Sequence, residues 1–193
     1  MRRFLKKVIF VSSLALTSPL IFVTWLENRF FQSEDLFVSL GQFLSLIPGK
    51  PGTCFRAGYY FSTLEHSSWE IEVGFGSYFS HRGASLGRHV AIGSYCIIGT
   101  AAIGEETVLA SRVSIPSGKR QHFDESGNIC SEPRFEKVRI GKKSWIGEGA
   151  IVLANIGENC IVSAGAVVVT ETPENSVVGG NPGRIIKKLN SAG

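Results

Sequence analysis

Charged residues, methionine and paired cysteines are scarce in this chain of 193 residues. Asp, Glu, Lys and Arg make up 19% of it, and it holds one Met and three Trp. Its four cysteines form no C-x-x-C pair and have no zinc-finger spacing, which argues against a structural zinc site. No basic segment is interleaved with aromatic residues, so the net charge of +4 does not predict a nucleic-acid-binding protein.

Glycine and aliphatic residues are abundant instead. The 22 glycines disfavour a helical bundle and favour a fold with many tight backbone corners. The hydrophobic fraction of 44% is typical of a folded protein with a substantial core. Basic residues cluster at both ends of the chain, where they suit membrane phosphates at the N-terminus and a phosphate-bearing ligand near the C-terminus.

The first fifty residues contain two apolar stretches. Val8–Leu26 follows the basic opening RRFLKK and has nineteen residues, about the length of one membrane span. A signal peptide would share this arrangement, but the stretch is long for one and lacks an A-x-A cleavage site. The second stretch is Leu36–Ile47, and its twelve residues are too few for a regular span.

From about Val73 onward, an aliphatic residue recurs about every six positions and is usually followed by glycine or another small residue. The series is Leu86, Ile92, Ile98, Ile103, Leu109, Ile115, Ile140, Ile146, Val152, Ile156, Val162 and Val168. This period predicts a parallel β-helix with triangular coils of about eighteen residues, in which the aliphatic side chains point inward. Cys96 and Cys160 lie on neighbouring inward positions, so we expect both thiols in the core.

The second half of this series resembles a known family. The segment KVRIGKKSWIGEGAIVLANIGENCIVSAGAVVV, followed by PENSVVGGNPGRIIKKL, is similar to motifs of the left-handed β-helix, hexapeptide-repeat acyltransferases. The resemblance covers about residues 73–189. The chain departs from the family at Gly183, where Ala is usual, and in the four-residue step from Val152 to Ile156. The five-residue step from Ile98 to Ile103 likewise has no explanation in the sequence.

The resemblance implies an all-β fold, a left-handed parallel β-helix with an apolar, helical N-terminal extension. It also implies acetyl-CoA or another acyl-CoA as co-substrate, no metal, and a homotrimer with its active sites between subunits. The extension resembles a membrane-associated branch linked to surface polysaccharides. We divide the chain into a membrane-associating segment (1–50), a lead-in (51–72), the β-helix domain (73–178, with a loop at 116–137) and a C-terminal tail (179–193).

The topology of the first fifty residues follows from the need for acyl-CoA. Basic residues favour a cytoplasmic N-terminus, and a single span would place the remaining chain outside the cell. We therefore expect the two apolar stretches to form re-entrant or interfacial helices at the cytoplasmic face of the bacterial inner membrane. The alternative is that they pack on the catalytic domain or on partner subunits.

The repeat is interrupted between Ile115 and Val138 by a polar insertion that contains His122. The resemblance places the family's catalytic histidine on such a loop, and imidazole is a suitable general base near neutral pH. Asp124, Glu125 or Glu148 could orient this histidine, and the sequence does not choose among them.

The resemblance also implies the remaining site residues. A backbone amide of Gly147, Glu148 or Gly149 would stabilise the oxyanion, and Trp145 would wall the site. Small residues would line the groove for the pantetheine arm, and basic residues would bind the phosphates of coenzyme A. The groove residues are Gly149, Ala150, Ala164 and Gly165, and the phosphate ligands are Lys142, Arg184 and Lys187.

The other histidines lack the spacing of a metal site. The γ-class carbonic anhydrases share this fold and bind zinc through a closely spaced H-x4-H pair. Here His66, His81 and His89 are fifteen and eight residues apart, so no metal is expected. His81 has either a structural role or a contact with the acceptor.

The sequence thus predicts an acyl-CoA-dependent O-acetyltransferase that acts on a glycan or lipid-linked sugar. An N-acyltransferase acting on an amino sugar and a xenobiotic acetyltransferase are alternatives from the same class. A non-catalytic β-helix that serves as an assembly scaffold is the alternative from a different class.

Overall fold

The computed structural model describes residues 2–119, 121–123, 128–129 and 134–189, in which three helices precede a parallel β-solenoid. The helices are α1 (Arg2–Phe30), α2 (Asp35–Ser45) and α3 (Gly49–Thr63). The parallel coils and the apolar N-terminal helix confirm the prediction. An all-β description is too narrow, because the helices have 29, 11 and 15 residues. The boundary drawn at residue 50 falls inside α3.

Short strands form the three faces of a triangular prism. The first face holds β1 (His66–Ser67), β4 (Ser85–Leu86), β7 (Ala101–Ile103) and β10 (Val138–Ile140), and continues through single bridges at Ile156 and Thr172. The second face holds β2 (Glu72–Val73), β5 (Ala91–Ile92), β8 (Val108–Leu109), β11 (Trp145–Ile146), β13 (Ile161–Val162), β15 (Ser176–Gly179) and the antiparallel β16 (Arg184–Lys188). The third face holds β3 (Tyr78–Phe79), β6 (Ile97–Ile98), β9 (Ser114–Ile115), β12 (Ile151–Val152) and β14 (Val167–Val168).

The inward side chains stack into one continuous core. Every aliphatic position of the predicted series is at most 5% exposed, and Cys96 and Cys160 are fully buried, as expected. Neighbouring coils place equivalent side chains over one another, as with Ile92 and Leu109. Burial of each large aliphatic side chain contributes roughly 1.5–3 kcal/mol. A one-residue slip of a strand would turn its aliphatic side chain outward, so this burial fixes the register of the coils.

Two edges of the prism turn through residues in the left-handed backbone conformation, with φ between 53° and 72°. At the edge between the first and second faces, termed the first–second edge, the corner residues are His89, Glu106, Lys143, Asn159 and Asn175. At the edge between the second and third faces, termed the second–third edge, they are Gly76, Tyr95, Arg112, Gly149 and Gly165. At both edges the inward positions of successive strands are six residues apart. These two edges therefore set the six-residue period of the sequence.

The edge between the third and first faces, termed the third–first edge, is irregular in the number of residues that cross it. From the third face to the first, the inward positions are seven residues apart at Phe79 and Leu86 and five apart at Ile98 and Ile103. The step from Val152 to Ile156 is four residues. The two short steps of the sequence thus occur at one edge, and the loop between β9 and β10 leaves from this same edge.

Arg56 anchors the helices to the first coil. Its side chain is fully buried, and its Nε donates to the carbonyl oxygen of Val73 at 2.8 Å. One terminal nitrogen donates to the carbonyl oxygens of Leu44 and Ile47 at 2.9 and 3.0 Å, at the C-terminal end of α2. A single side chain thus satisfies carbonyl groups that a helix end leaves without partners.

Helix α1 buries four polar residues and exposes many apolar ones. Ser13, Thr17, Thr24 and Glu27 are buried, and the Ser13 hydroxyl donates to the carbonyl oxygen of Cys54 in α3. The exposed apolar side chains form what we term the outer face of α1: Phe4, Leu5, Val8, Ile9, Val11, Leu16, Phe22, Val23, Trp25 and Phe30. This arrangement is the reverse of that of a surface helix in water.

Both halves of α1 contact the first coil of the solenoid. Near its start, the ring of Phe10 lies 5.9 Å from that of Trp69. Near its end, the carbonyl oxygen of Thr24 accepts a hydrogen bond from Arg82 at 3.2 Å. By length and composition Phe4–Phe30 could cross a membrane, but in this structure α1 lies across the end of the solenoid.

We expect Arg56→Ala to destabilise the protein by about 3–5 kcal/mol, because it leaves a cavity and several buried carbonyl groups without donors. The midpoint of urea unfolding in mild detergent measures this loss. Arg88→Ala is the matched control, because the Arg88 side chain forms an exposed ion pair with Glu105 and its loss should change stability by less than about 1 kcal/mol. Equal midpoints for the two variants would contradict the anchoring role of Arg56.

Candidate functional site

The loop that carries His122 folds back on itself at the third–first edge. The carbonyl oxygen of Gln121 accepts the N–H of Arg134 at 2.8 Å, and that of Ser117 accepts the N–H of Glu136 at 2.9 Å. These bonds join the outgoing and returning arms of the loop, and His122 is exposed to solvent. Asp124 and Glu125, two of the carboxylates proposed to orient His122, lie outside the described residues.

The returning arm of the loop packs against the first coil. The ring centroid of Phe135 lies 4.1 Å from that of His81. Two residues further along, the Lys137 ammonium forms an ion pair with Glu65. The loop therefore reaches back over two coils to residues that precede it by more than fifty positions.

His81 is held by a carboxylate from the helical region. Its Nδ1 lies 2.7 Å from one oxygen of Glu34, and the other oxygen of Glu34 accepts the backbone N–H of Arg82 at 2.8 Å. Burial opposes ionisation of Glu34, but the hydrogen bonds from the His81 side chain and the Arg82 backbone, together with the electrostatic interactions with both residues, outweigh it and lower its pKa. Glu34 is therefore an ionised acceptor at neutral pH, next to the imidazole of His81.

A second carboxylate, Glu27, ties the same corner to the start of α2. It is buried, accepts the backbone N–H groups of Leu36 and Phe37, and pairs with the Arg82 guanidinium. The first N–H groups of a helix lack intrahelical partners and favour a negative charge. Glu27 therefore fixes α1, α2 and Arg82 relative to one another.

The groove residues predicted from the sequence lie at the second–third edge. Gly149 and Gly165 occupy stacked corners with φ of +68° and +69°, and a Cβ at either would have no described atom within 4 Å. The equivalent corners of earlier coils hold Tyr95 and Arg112 in the same conformation, with φ of 59°. The backbone turn therefore does not require glycine, and the two glycines leave this stretch of the edge open. Ala164 is exposed beside them, whereas Ala150 is buried in the core.

One amide at this corner is available to a ligand. The N–H of Gly147 donates to Val162 at 2.8 Å, and that of Gly149 donates to Ser111 at 3.0 Å. Within the described part of the chain, the N–H of Glu148 has no hydrogen-bond partner. Of the three amides proposed for the oxyanion, only that of Glu148 is free to donate.

The other predicted residues lie at separate places. Trp145 is half exposed on the second face, and the Lys142 ammonium lies 3.2 Å from Glu158 at the first–second edge, away from the glycine corners. Arg184 and Lys187 are exposed on β16, at the end of the second face.

The predicted site residues lie on different edges of the prism within one chain. His122 is at the third–first edge, whereas Glu148 lies at the second–third edge with its carboxylate 3.6 Å from Arg112. The third face separates these edges by up to about 20 Å of extended chain. The proposed roles of His122, Asp124 and Glu148 therefore remain predictions.

Two further groups of residues bear on the chemistry. Among the described residues, no group of three or more His, Cys, Asp or Glu side chains could hold a metal ion. Burial raises the pKa of the Cys96 and Cys160 thiols, which disfavours the thiolate that a nucleophile needs.

The sequence could not reveal the Glu34–His81–Phe135 cluster, because its members are 47 and 54 residues apart in a region without periodicity.

Comparison with known proteins places this geometry among acyltransferase folds. No protein-family model and no curated protein matches the chain. A maltose O-acetyltransferase from Clostridium difficile 630 is 23% identical, with a TM-score of 0.60 over 82% of this chain and 87% of that one. A galactoside acetyltransferase in complex with coenzyme A is 18% identical, with a TM-score of 0.64 over 81% of each chain.

A third solved structure belongs to AntD, an N-acyltransferase from Bacillus cereus, in complex with dTDP and 3-hydroxybutyryl-CoA. It is 18% identical, with a TM-score of 0.51 over 64% of this chain and 83% of that one. At these identities the likeness shows the fold. The chain is a left-handed β-helix of hexapeptide repeats, the fold of these acyltransferases.

Proposed function

We propose that this protein transfers an acetyl group from acetyl-CoA to a sugar hydroxyl at the cytoplasmic face of the bacterial inner membrane. The observation that carries the proposal is the open pair of corners at Gly149 and Gly165, next to the free amide of Glu148. An extended pantetheine arm fits along such an edge, and a nearby amide is the donor that a thioester oxyanion needs. Arg184 and Lys187, exposed on β16, are the basic residues available to the phosphates.

The reaction follows from these groups. His122 accepts the proton of the acceptor hydroxyl as the oxygen attacks the thioester carbonyl. The Glu148 amide stabilises the oxyanion of the tetrahedral intermediate. When the intermediate collapses, the C–S bond breaks, the ester forms and the His122 imidazolium returns its proton to the departing thiolate of coenzyme A. No covalent enzyme intermediate is needed, in keeping with the buried, high-pKa Cys96 and Cys160.

A homotrimer would complete the site. Since His122 and Glu148 belong to two edges that flank the third face, we infer that the site combines His122 of one subunit with Glu148 of the next. In a cyclic arrangement with this face towards the three-fold axis, the third–first edge of one subunit approaches the second–third edge of the next. The AntD structure supports an N-acyltransferase as the alternative. Whether the acceptor group is a hydroxyl or an amine distinguishes the O-acetyltransferase from the N-acyltransferase.

The outer face of α1 supports binding to the membrane surface. Its ten apolar side chains are exposed while Ser13, Thr17, Thr24 and Glu27 of the same helix are buried, as expected where lipid replaces water. Lys6 and Lys7 lie in the first turns of α1, and Lys50 lines the same cavity as Lys6. These ammonium groups suit anionic lipid headgroups. Because α1 lies across the end of the solenoid, we infer that it rests in the interface and does not span the bilayer.

We expect His122→Ala to lower the rate of acetyl transfer by roughly 10²–10⁴-fold, because a general base contributes about that much. Acetyl-CoA binding, measured by calorimetry, should remain unchanged. His66→Ala removes an exposed histidine outside the loop and should retain full activity. A His122→Ala enzyme as active as the wild type would refute the assignment of the base.

We expect Gly165→Asn to weaken acetyl-CoA binding by at least about tenfold, or about 1.4 kcal/mol, because the side chain would enter the open corner. Folding should be retained, since Asn159 and Asn175 adopt the same left-handed conformation. The control is Glu106→Asn, which places the same side chain in the same conformation at the first–second edge. Calorimetry measures both, and unchanged binding in Gly165→Asn would place coenzyme A elsewhere.

We expect the double variant Val11→Glu and Leu16→Glu to partition at least about tenfold less onto phosphatidylethanolamine–phosphatidylglycerol vesicles, because it puts two charges on the outer face of α1. Thr170→Glu, at the opposite end of the solenoid, adds charge away from α1 and should partition like the wild type. Sedimentation with vesicles measures the effect. If the wild-type protein stays in the supernatant, the outer face of α1 does not bind lipid, and we would assign it to a contact with another protein.

A further inference from the structure

A cavity of about 410 Å³ lies between the second half of α1, the end of α3 and the third–first corner of the first coil. Its size is within the range of small-molecule sites, roughly 300–1,000 Å³. Polar and aromatic side chains dominate the lining: Trp25, Asn28, Glu34, Ser62, Glu65 and Arg82. Apart from Glu34 and Arg82, these residues belong to neither the proposed coenzyme A groove nor the network around Glu27.

We propose that this cavity binds the sugar ring of a membrane-anchored acceptor. The inference rests on the proposed acetyltransferase function and specifies how that enzyme takes its second substrate.

The chemistry of the lining favours a neutral, hydroxylated ligand. Carboxylates, amides and hydroxyl groups accept and donate hydrogen bonds as sugar hydroxyls require. The indole of Trp25 is about half exposed at the rim and offers an apolar face against which the C–H face of a sugar ring can lie. The charged groups of the lining are already paired, Glu34 with His81, Glu65 with Lys137 and Arg82 with Glu27. Among the described residues the cavity therefore has no unpaired charge that would select a phosphate over a neutral sugar.

Hydrogen-bonding groups of the lining that lack a described protein partner also favour a hydroxylated ligand. Nε of Arg82 is buried, and no described residue accepts its hydrogen bond. A buried donor without an acceptor is costly. Because Arg82 lines the cavity, a small shift of its guanidinium towards a ligand hydroxyl would supply the missing acceptor. The side chains of Asn28 and Ser62 also line the cavity and are exposed, so both can exchange water for a ligand hydroxyl.

Two contacts connect the cavity to the loop of His122. Glu34 lines the cavity and holds His81, against which Phe135 of the loop packs at 4.1 Å. Glu65 lines the cavity and pairs with Lys137 at the end of the loop. A sugar in the cavity would therefore lie against the structural support of the proposed base.

The cavity also adjoins the outer face of α1. The rings of Trp25 and Phe22 are stacked with centroids 6.0 Å apart, and both side chains are exposed. Trp25 lines the cavity, whereas Phe22 does not. An acceptor whose lipid remains in the bilayer could thus place its sugar in the cavity beside the loop.

The pair Trp25→Ala and Phe22→Ala separates sugar recognition from membrane binding, because both variants remove one exposed aromatic side chain from the same face. The probes are octyl β-D-glucopyranoside and octyl β-D-galactopyranoside, titrated below their micelle concentrations by calorimetry, with octyl phosphocholine as the reference. We expect the wild type to bind at least one glycoside at least about tenfold more tightly than the reference, or about 1.4 kcal/mol. Trp25→Ala should lose this preference, whereas Phe22→Ala should keep it and partition onto vesicles as weakly as Trp25→Ala.

Asn28→Ala provides a second test, because Asn28 is exposed and its truncation leaves no buried group unpaired. We expect it to weaken glycoside binding several-fold with acetyl-CoA binding unchanged. Equal binding of the glycosides and octyl phosphocholine to the wild type would overturn the cavity assignment, as would retained glycoside preference in both Trp25→Ala and Asn28→Ala. Loss of the proposed function is recognised separately, since it would appear as an absence of acetyl-CoA binding in the wild type.

Discussion

The stacking of inward aliphatic side chains at a six-residue period is the constraint on which the rest of this structure depends. Each coil buries its aliphatic residues only if two successive corners fall at fixed positions, so two edges of the prism cannot change in length. Left-handed corner residues such as His89 and Arg112 meet this requirement even though they are not glycine. All variation in chain length is therefore confined to the third–first edge.

That confinement explains where the candidate functional features lie. The loop of His122, the contact of His81 with Phe135 and the cavity beside Trp25 all belong to the irregular edge. The second–third edge, by contrast, has a constant spacing. Its corners stack, and Gly149 and Gly165 form a continuous open stretch. A rigid edge suits an extended ligand, whereas an edge of variable length suits a loop that positions a base.

The helical region is coupled to the same edge by buried charge. Glu27 neutralises the start of α2 and pairs with Arg82, while Glu34 binds the adjacent His81. A buried carboxylate is costly unless it is paired, so these contacts fix the helices in one position on the first coil. These contacts link α1 to the corner against which Phe135 of the His122 loop packs.

The sequence by itself determined the solenoid and its inward residues, because both follow from a local pattern repeated along the chain. It also located the polar loop and the apolar first helix. Only the tertiary structure decided that α1 lies across the end of the solenoid, that both short steps share one edge, and that Glu34 meets His81. These relations join residues far apart in the chain through charge and packing, and no repeated pattern in the sequence encodes them.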